Sequence, residues 1–132
     1  MFRGKIVVLD DHKNMLTLFQ RLFEFETQKR RIEAINAFAT ANPEEALKHV
    51  NEHNERVTLI IIDGSIENKP EIMRRMRKVA SHALILISTN NPDTVHKLIE
   101  AGADLYMEKT KTVDFVRDLI DRHDRRAKIL HS

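Results

Sequence analysis

Three short runs of this chain are apolar at nearly every position: KIVVLD at residues 5–10, VTLIII at 57–62 and ALILI at 83–87. A strand with one wet face alternates, so runs without alternation suit strands covered on both faces, as in a parallel sheet. Two mixed runs, IEAINAF at 32–38 and DLYME at 104–108, suit edge strands. Between the runs the apolar period becomes helical. Met15, Leu18, Phe19 and Leu22 follow an i, i+3, i+4, i+7 pattern and predict one apolar helix face. Asn42-Pro43-Glu44-Glu45 reads as an N-cap, a first-turn proline and an acidic first turn, opening a helix with Ala46, Leu47 and Val50 inward. Pro70 opens a third helix with Ile72, Met76 and Val79 inward, and the basic–apolar spacing of IMRRMRK at 72–78 makes it an amphipathic surface helix. Asn91-Pro92-Asp93 opens a fourth, with Val95, Leu98 and Ile99 inward and an end near Gly102. The last begins near Thr112 and buries Phe115, Val116, Leu119 and Ile120.

A strand followed by a helix, five times over, predicts the α/β class. Right-handed crossovers make it a doubly wound (βα)5 sandwich: a five-stranded parallel sheet of order 2-1-3-4-5 with helices on both faces. A chain of 132 residues fits one such domain with a sizeable core. There are no repeats and no Pro/Gly/Ser linker to divide it.

Composition changes this picture little. With 42% hydrophobic and 32% charged residues the chain is ordinary and globular, and no run approaches the ~18 apolar residues of a membrane span. The absence of cysteine excludes disulfides and thiolate-bound zinc and agrees with a cytoplasmic setting. The N-terminal apolar run is too short for a signal peptide and ends in two acids. A formal charge of +2 gives no case for direct nucleic-acid binding; the short basic run QKRR at 28–31 reads as a solvated loop.

The candidate chemistry lies at the carboxyl ends of the strands, where such sheets bind ligands. Strand 1 ends in Asp10-Asp11, strand 3 in Asp63, strand 4 in Ser88-Thr89 and strand 5 in Glu108-Lys109. Singly, each has a plain reading: an aspartate as helix cap or turn former, a turn serine, a solvated lysine. Together Asp10, Asp11, Asp63, Ser88 and Lys109 place three acids, a hydroxyl and an ammonium on one rim. Clustered carboxylates repel unless a cation sits among them, and hard oxygen ligands favour Mg²⁺. A lysine and a hydroxyl beside that cation suit an anion, which points to phosphoryl chemistry with Asp63 as an aspartate nucleophile. His12 is read as facing solvent, His49 and His53 as surface residues, and Met73 and Met76 as core filling. With three glycines there is no phosphate-cradling loop and no dinucleotide fingerprint.

IVVLDD (6–11), LIIID (59–63), LILIST (84–89), AGAD (101–104) and YMEK (106–109), in this order and spacing, resemble the receiver domains of two-component response regulators over about residues 4–124. The resemblance implies a single receiver domain across 1–132, with a basic helical extension at 125–132. It implies that Asp63 accepts a phosphoryl group from a sensor histidine kinase or a phosphotransfer protein. Mg²⁺ would be held by Asp10, Asp11, Asp63 and the Ser65 backbone carbonyl. Ser88 and Lys109 would contact the phosphoryl group, and Ser88 with Tyr106 would switch the face formed by helix 4, strand 5 and helix 5. A downstream protein target or output domain would read that face, and a homodimer through it is an alternative by analogy. This makes the chain a phosphoacceptor signalling domain, not a metabolic enzyme.

Two positions depart from the family pattern. Thr110 stands where a cis proline usually follows the lysine, and a cis bond before a non-proline residue costs ~3 kcal/mol, which favours a trans bond here. GSIENKPE, at 64–71, replaces the usual loop beside the acceptor, with Ile66-Glu67 in place of a Met/Leu-Pro pair. That departure keeps open a degenerate receiver acting as a phosphorylation-independent binding module. An aspartate-dependent phosphatase is disfavoured, since no acid follows Asp10, Asp11 or Asp63 two residues on in the required way.

Overall fold

The computed structural model describes residues 4–30, 37–64, 69–91, 93 and 95–131, with side chains of these except at 29, 30, 69 and 122–131. Five parallel strands form one sheet: β1 (Lys5–Leu9), β2 (Ala37–Thr40), β3 (Val57–Asp63), β4 (Leu84–Ser88) and β5 (Leu105–Met107). Their order is β2-β1-β3-β4-β5, as the alternation of elements predicts. The helices are α1 (Lys13–Arg30), α2 (Pro43–His53), α3 (Lys69–Val79), α4 (Val95–Glu100) and α5 (Lys109–His131).

The unbroken apolar runs acquire their meaning from the two faces. Side chains alternate across a strand. Val7, Leu9, Ile60, Ile62, Ile85 and Ile87 pack under α2, α3 and α4. Ile6, Val8, Leu59, Ile61 and Leu86 pack under α1 and α5. Both faces are dry, and every residue of β1 is buried, Lys5 included.

The α2 start matches its expected cap: the Asn42 side chain accepts from the Glu44 and Glu45 amides. Other expectations need correction. Leu18 and Ile99 are exposed, at 47% and 45%. The buried face of α1 is Phe19, Leu22, Phe23 and Glu26, and at 100° per residue Leu18 stands about 90° from its centre. Gln28, Lys29 and Arg30 are the last turn of α1, not a loop. The second strand begins at Ala37 and runs to Thr40; residues 32–36 of the expected strand lie outside the described residues. The last helix starts at Lys109, three residues before Thr112. The Lys109–Thr110 bond, by contrast, is trans as the missing proline favours. Among the described residues no helix is long and apolar enough to cross a membrane.

Candidate functional site

The parallel register fixes the rim. Asp63, the last residue of β3, stands beside Ser88, the last residue of β4. Gly64 N–H donates to the Ser88 carbonyl at 3.0 Å, and Thr89 N–H to the Met107 carbonyl at 3.0 Å, so the strand ends stay paired as the chain turns away. On the other side of β3, β1 delivers Asp10, whose amide donates to the Thr40 carbonyl at 3.0 Å. The acids, the hydroxyl and the lysine expected on this rim are therefore brought together by three adjacent strands and the start of α5.

Asp63 is fully buried. Its Oδ1 meets the Lys109 ammonium at 2.9 Å, and its Oδ2 lies 3.0 Å from Nδ1 of His12. Lys109 is itself largely buried and has its backbone amide held by the Asn90 side chain at 3.1 Å. That bond ties the loop after β4 to the loop after β5 and sets the lysine root. Asp10, 2% exposed, also accepts the His12 amide at 2.8 Å, so it does serve as a local cap as well as a site acid. Asp11 is half exposed on the outer side. Burial is the main cause that raises the Asp10 carboxyl from 3.8 to about 6; the His12 amide opposes it and neighbouring Asp63 adds to it.

His12 is the residue that sequence reasoning misplaced. Its ring is half exposed, yet Nδ1 points into the site. That atom lies 3.2 Å from Asp10 Oδ1, 3.0 Å from Asp11 Oδ1 and 3.0 Å from Asp63 Oδ2. The Lys109 ammonium is 2.7 Å from the same atom. One imidazole nitrogen either accepts or donates, so it takes Lys109 or a carboxylate, not both at once. The hydrogen bond to Asp63 raises the His12 pKa, and Lys109 opposes the shift. The one available signal was its position directly after the acid pair.

Oxygens of Asp10, Asp11 and Asp63 converge on one point, and the four side chains, His12 included, offer ligand atoms within 4.8 Å of one another. A donor set of three carboxylates around a single point suits a hard divalent cation such as Mg²⁺. Ser65, whose carbonyl was expected to complete the set, lies outside the described residues, as do Ile66 and Glu67.

Ser88 is fully buried and bonds Thr112 on α5, Oγ to Oγ1 at 2.8 Å. Thr112 was expected only to open the last helix; it is instead buried within it. Tyr106 is half-buried on β5, opposite Ile87.

A second group, His49, Glu52 and His53, sits near the end of α2. The His49 ring stacks on Phe38 at 4.1 Å, and Nε2 of His53 lies 3.1 Å from the buried Lys5 amine. The place a cation would take on His53 is thus held by an ammonium.

The sequence matches the family described as response regulator receiver domain over residues 6–121. No curated protein matches it. Among solved structures, a receiver domain protein (CheY-like) from Methanospirillum hungatei JF-1 is similar at a TM-score of 0.71 and 19% identity, covering 96% of this chain and 98% of that one. A receiver domain protein from Clostridium thermocellum gives 0.70 at 21% identity, with 96% and 98% covered. The chemotaxis protein CheY4 of Vibrio cholerae gives 0.70 at 16% identity, with 92% and 98% covered.

Proposed function

Since this chain belongs to the receiver domains of response regulators, we propose that it is a phosphorelay switch whose phosphoacceptor is Asp63. The observation that carries this reading is the setting of that carboxylate. It is fully buried at the end of a rigid strand, with Lys109 on one oxygen at 2.9 Å, His12 Nδ1 3.0 Å from the other, and Asp10 and Asp11 in the same cluster. A structural acid is satisfied by the Lys109 ammonium alone; two more carboxylates beside it only add repulsion unless a cation joins them, as a group that must bear a phosphoryl anion requires.

In this reading a histidine kinase or phosphotransfer protein presents a phosphohistidine over the rim. An Asp63 oxygen forms the new bond to phosphorus as the bond to the donor imidazole breaks, leaving an acyl phosphate. Mg²⁺, held by Asp10, Asp11, Asp63 and the Ser65 carbonyl, supplies charge neutralisation to the phosphoryl oxygens when bound. Lys109 pairs with the phosphoryl oxygens on the opposite side, already within ion-pair distance of the atom that carries them. The Ser88 hydroxyl turns to the phosphoryl group and Tyr106 follows, altering the face of α4, β5 and α5 for a downstream protein, an output domain or a second copy. Such a switch belongs in the cytoplasm, where its kinase partners act.

A second reading, a receiver fold used as a phosphorylation-independent binding module, is favoured by one observation: His12 Nδ1 already occupies the point where the carboxylates converge. One experiment separates the two. Intact mass is measured after incubation with acetyl phosphate and Mg²⁺, beside Asp63→Asn and a chelator control. A metal-dependent gain of one phosphoryl group, absent in the variant, is the expected result. A folded protein that gains nothing is the binding module.

A further inference from the structure

We propose that Thr112 is a positioning residue that holds the Ser88 hydroxyl away from the acceptor until Asp63 is modified. This rests on the reading of Ser88 given above, and it comes from counting protons. Ser88 and Thr112 are both fully buried, and their oxygens are 2.8 Å apart. Thr112 Oγ1 also donates to the Glu108 carbonyl, one helical turn back, at 2.9 Å. A hydroxyl has one proton. The carbonyl can only accept, so the Thr112 proton is committed to it. With the Thr112 proton so placed, Ser88 donates and Thr112 accepts in the contact between the two hydroxyls, which by distance alone admits either direction. The sole proton of Ser88 points at α5.

Ser88 stands beside Asp63 in the β3–β4 register, at the same end of the sheet. To donate to a phosphoryl oxygen it must release Thr112. Thr112 keeps its own bond to Glu108 when that happens, so the helix is not broken; only the acceptor on its oxygen is vacated. The unmodified state thus holds a buried hydrogen bond that the modified state lacks, and the gap between the two contains its net value. Thr112 lies in the first turn of α5, three residues after Lys109. The latch therefore joins the hydroxyl to the same helix whose first residue pairs with Asp63.

The test uses the full chain, Mg²⁺ and beryllofluoride as the phosphoryl probe. Thr112→Val keeps the shape and removes the acceptor; Thr112→Ser keeps the acceptor. Without probe, NMR couplings across the Ser88 side chain are expected to show one rotamer in wild type and Thr112→Ser, and averaging in Thr112→Val. With probe, Thr112→Val is expected to bind roughly three- to tenfold more tightly, the factor that one net hydrogen bond carries, and Thr112→Ser to match wild type. Thr112→Ala replaces Thr112→Val if the latter does not fold. A Ser88 rotamer that is averaged in wild type, or that stays fixed without the Thr112 hydroxyl, overturns the latch, as does unchanged probe affinity in a variant whose Ser88 has been freed. If wild type binds no probe at all, the functional reading fails, and the rotamer comparison alone decides the latch.

Discussion

His12 is the residue at which this site differs most from a plain acidic pocket. Its Nδ1 sits among three carboxylate oxygens, near enough to each that a metal ion and the ring cannot share the place. An exposed side chain turns out cheaply, but the turn must happen before a cation is bound. His12→Ala is therefore expected to bind Mg²⁺ several-fold more tightly than wild type, followed by amide shift titration. Equal affinities would mean that the ring leaves without cost. Asp10 makes the opposite kind of statement. Its folded pKa of about 6 lies above the unfolded 3.8, so between those values the folded state holds more proton. Metal-free stability accordingly falls as pH rises through that window and stays lower above it. Asp10→Asn keeps the acceptor for the His12 amide and removes the penalty. At pH 7 in chelator it is expected to be more stable than wild type by on the order of 3 kcal/mol, with the gain mostly gone near pH 4. Urea midpoints at the two pH values measure it; a gain that is the same at both would locate the effect elsewhere.

The sheet and its order were legible because runs apolar at every position admit few arrangements, and the rim followed from the sheet: Asp10, Asp11, Asp63, Ser88 and Lys109 needed only the rule that strands end together. Helix faces were legible less well. Leu18 satisfies an i, i+3 match to Met15 yet faces out, because the centre of the buried stripe is set by Phe19, Leu22, Phe23 and Glu26, and no pattern of apolar residues announces a buried glutamate. Thr112 was invisible for a related reason: a threonine on an apolar stripe looks like its edge until its hydroxyl partner on another element is known. Gly64 belongs to this scale too. It directly follows β3, and a Cβ there would lie 2.4 Å from Cβ of Thr89 on the adjoining loop. Gly64→Ala must push the ends of β3 and β4 apart, straining the Gly64–Ser88 backbone bond at the site. It is expected to cost about 1–3 kcal/mol, seen as a lower urea midpoint at unchanged slope. A midpoint equal to wild type would show that Thr89 moves aside freely.

For the molecule as a whole, the rim is a region of stored repulsion on a stiff frame. The sheet is dry on both faces, so the strand ends cannot drift apart to relieve three converging acids, one of them fully buried. Lys109 and His12 offset part of that repulsion; a divalent cation would offset more. Binding to the folded state alone raises stability by RT ln(1 + [L]/Kd), about 2.7 kcal/mol at a hundredfold excess over Kd. For a domain of this size that corresponds to a rise of roughly 5–15 °C in Tm. The fold and the charge arrangement thus predict a protein whose Tm climbs with Mg²⁺. Asp11→Asn should behave inversely: its acid is half exposed, and the amide keeps an oxygen for its contacts, so removing the charge relieves repulsion. Its metal-free Tm is expected at or above that of wild type, with little further rise on adding Mg²⁺. A Tm indifferent to Mg²⁺ in the wild type, while Asp11→Asn still gains stability, would mean that the repulsion is real but no cation answers it. The histidine in the pocket would then be the permanent partner of the acids, and the rim would be a binding surface in place of a phosphorylation site.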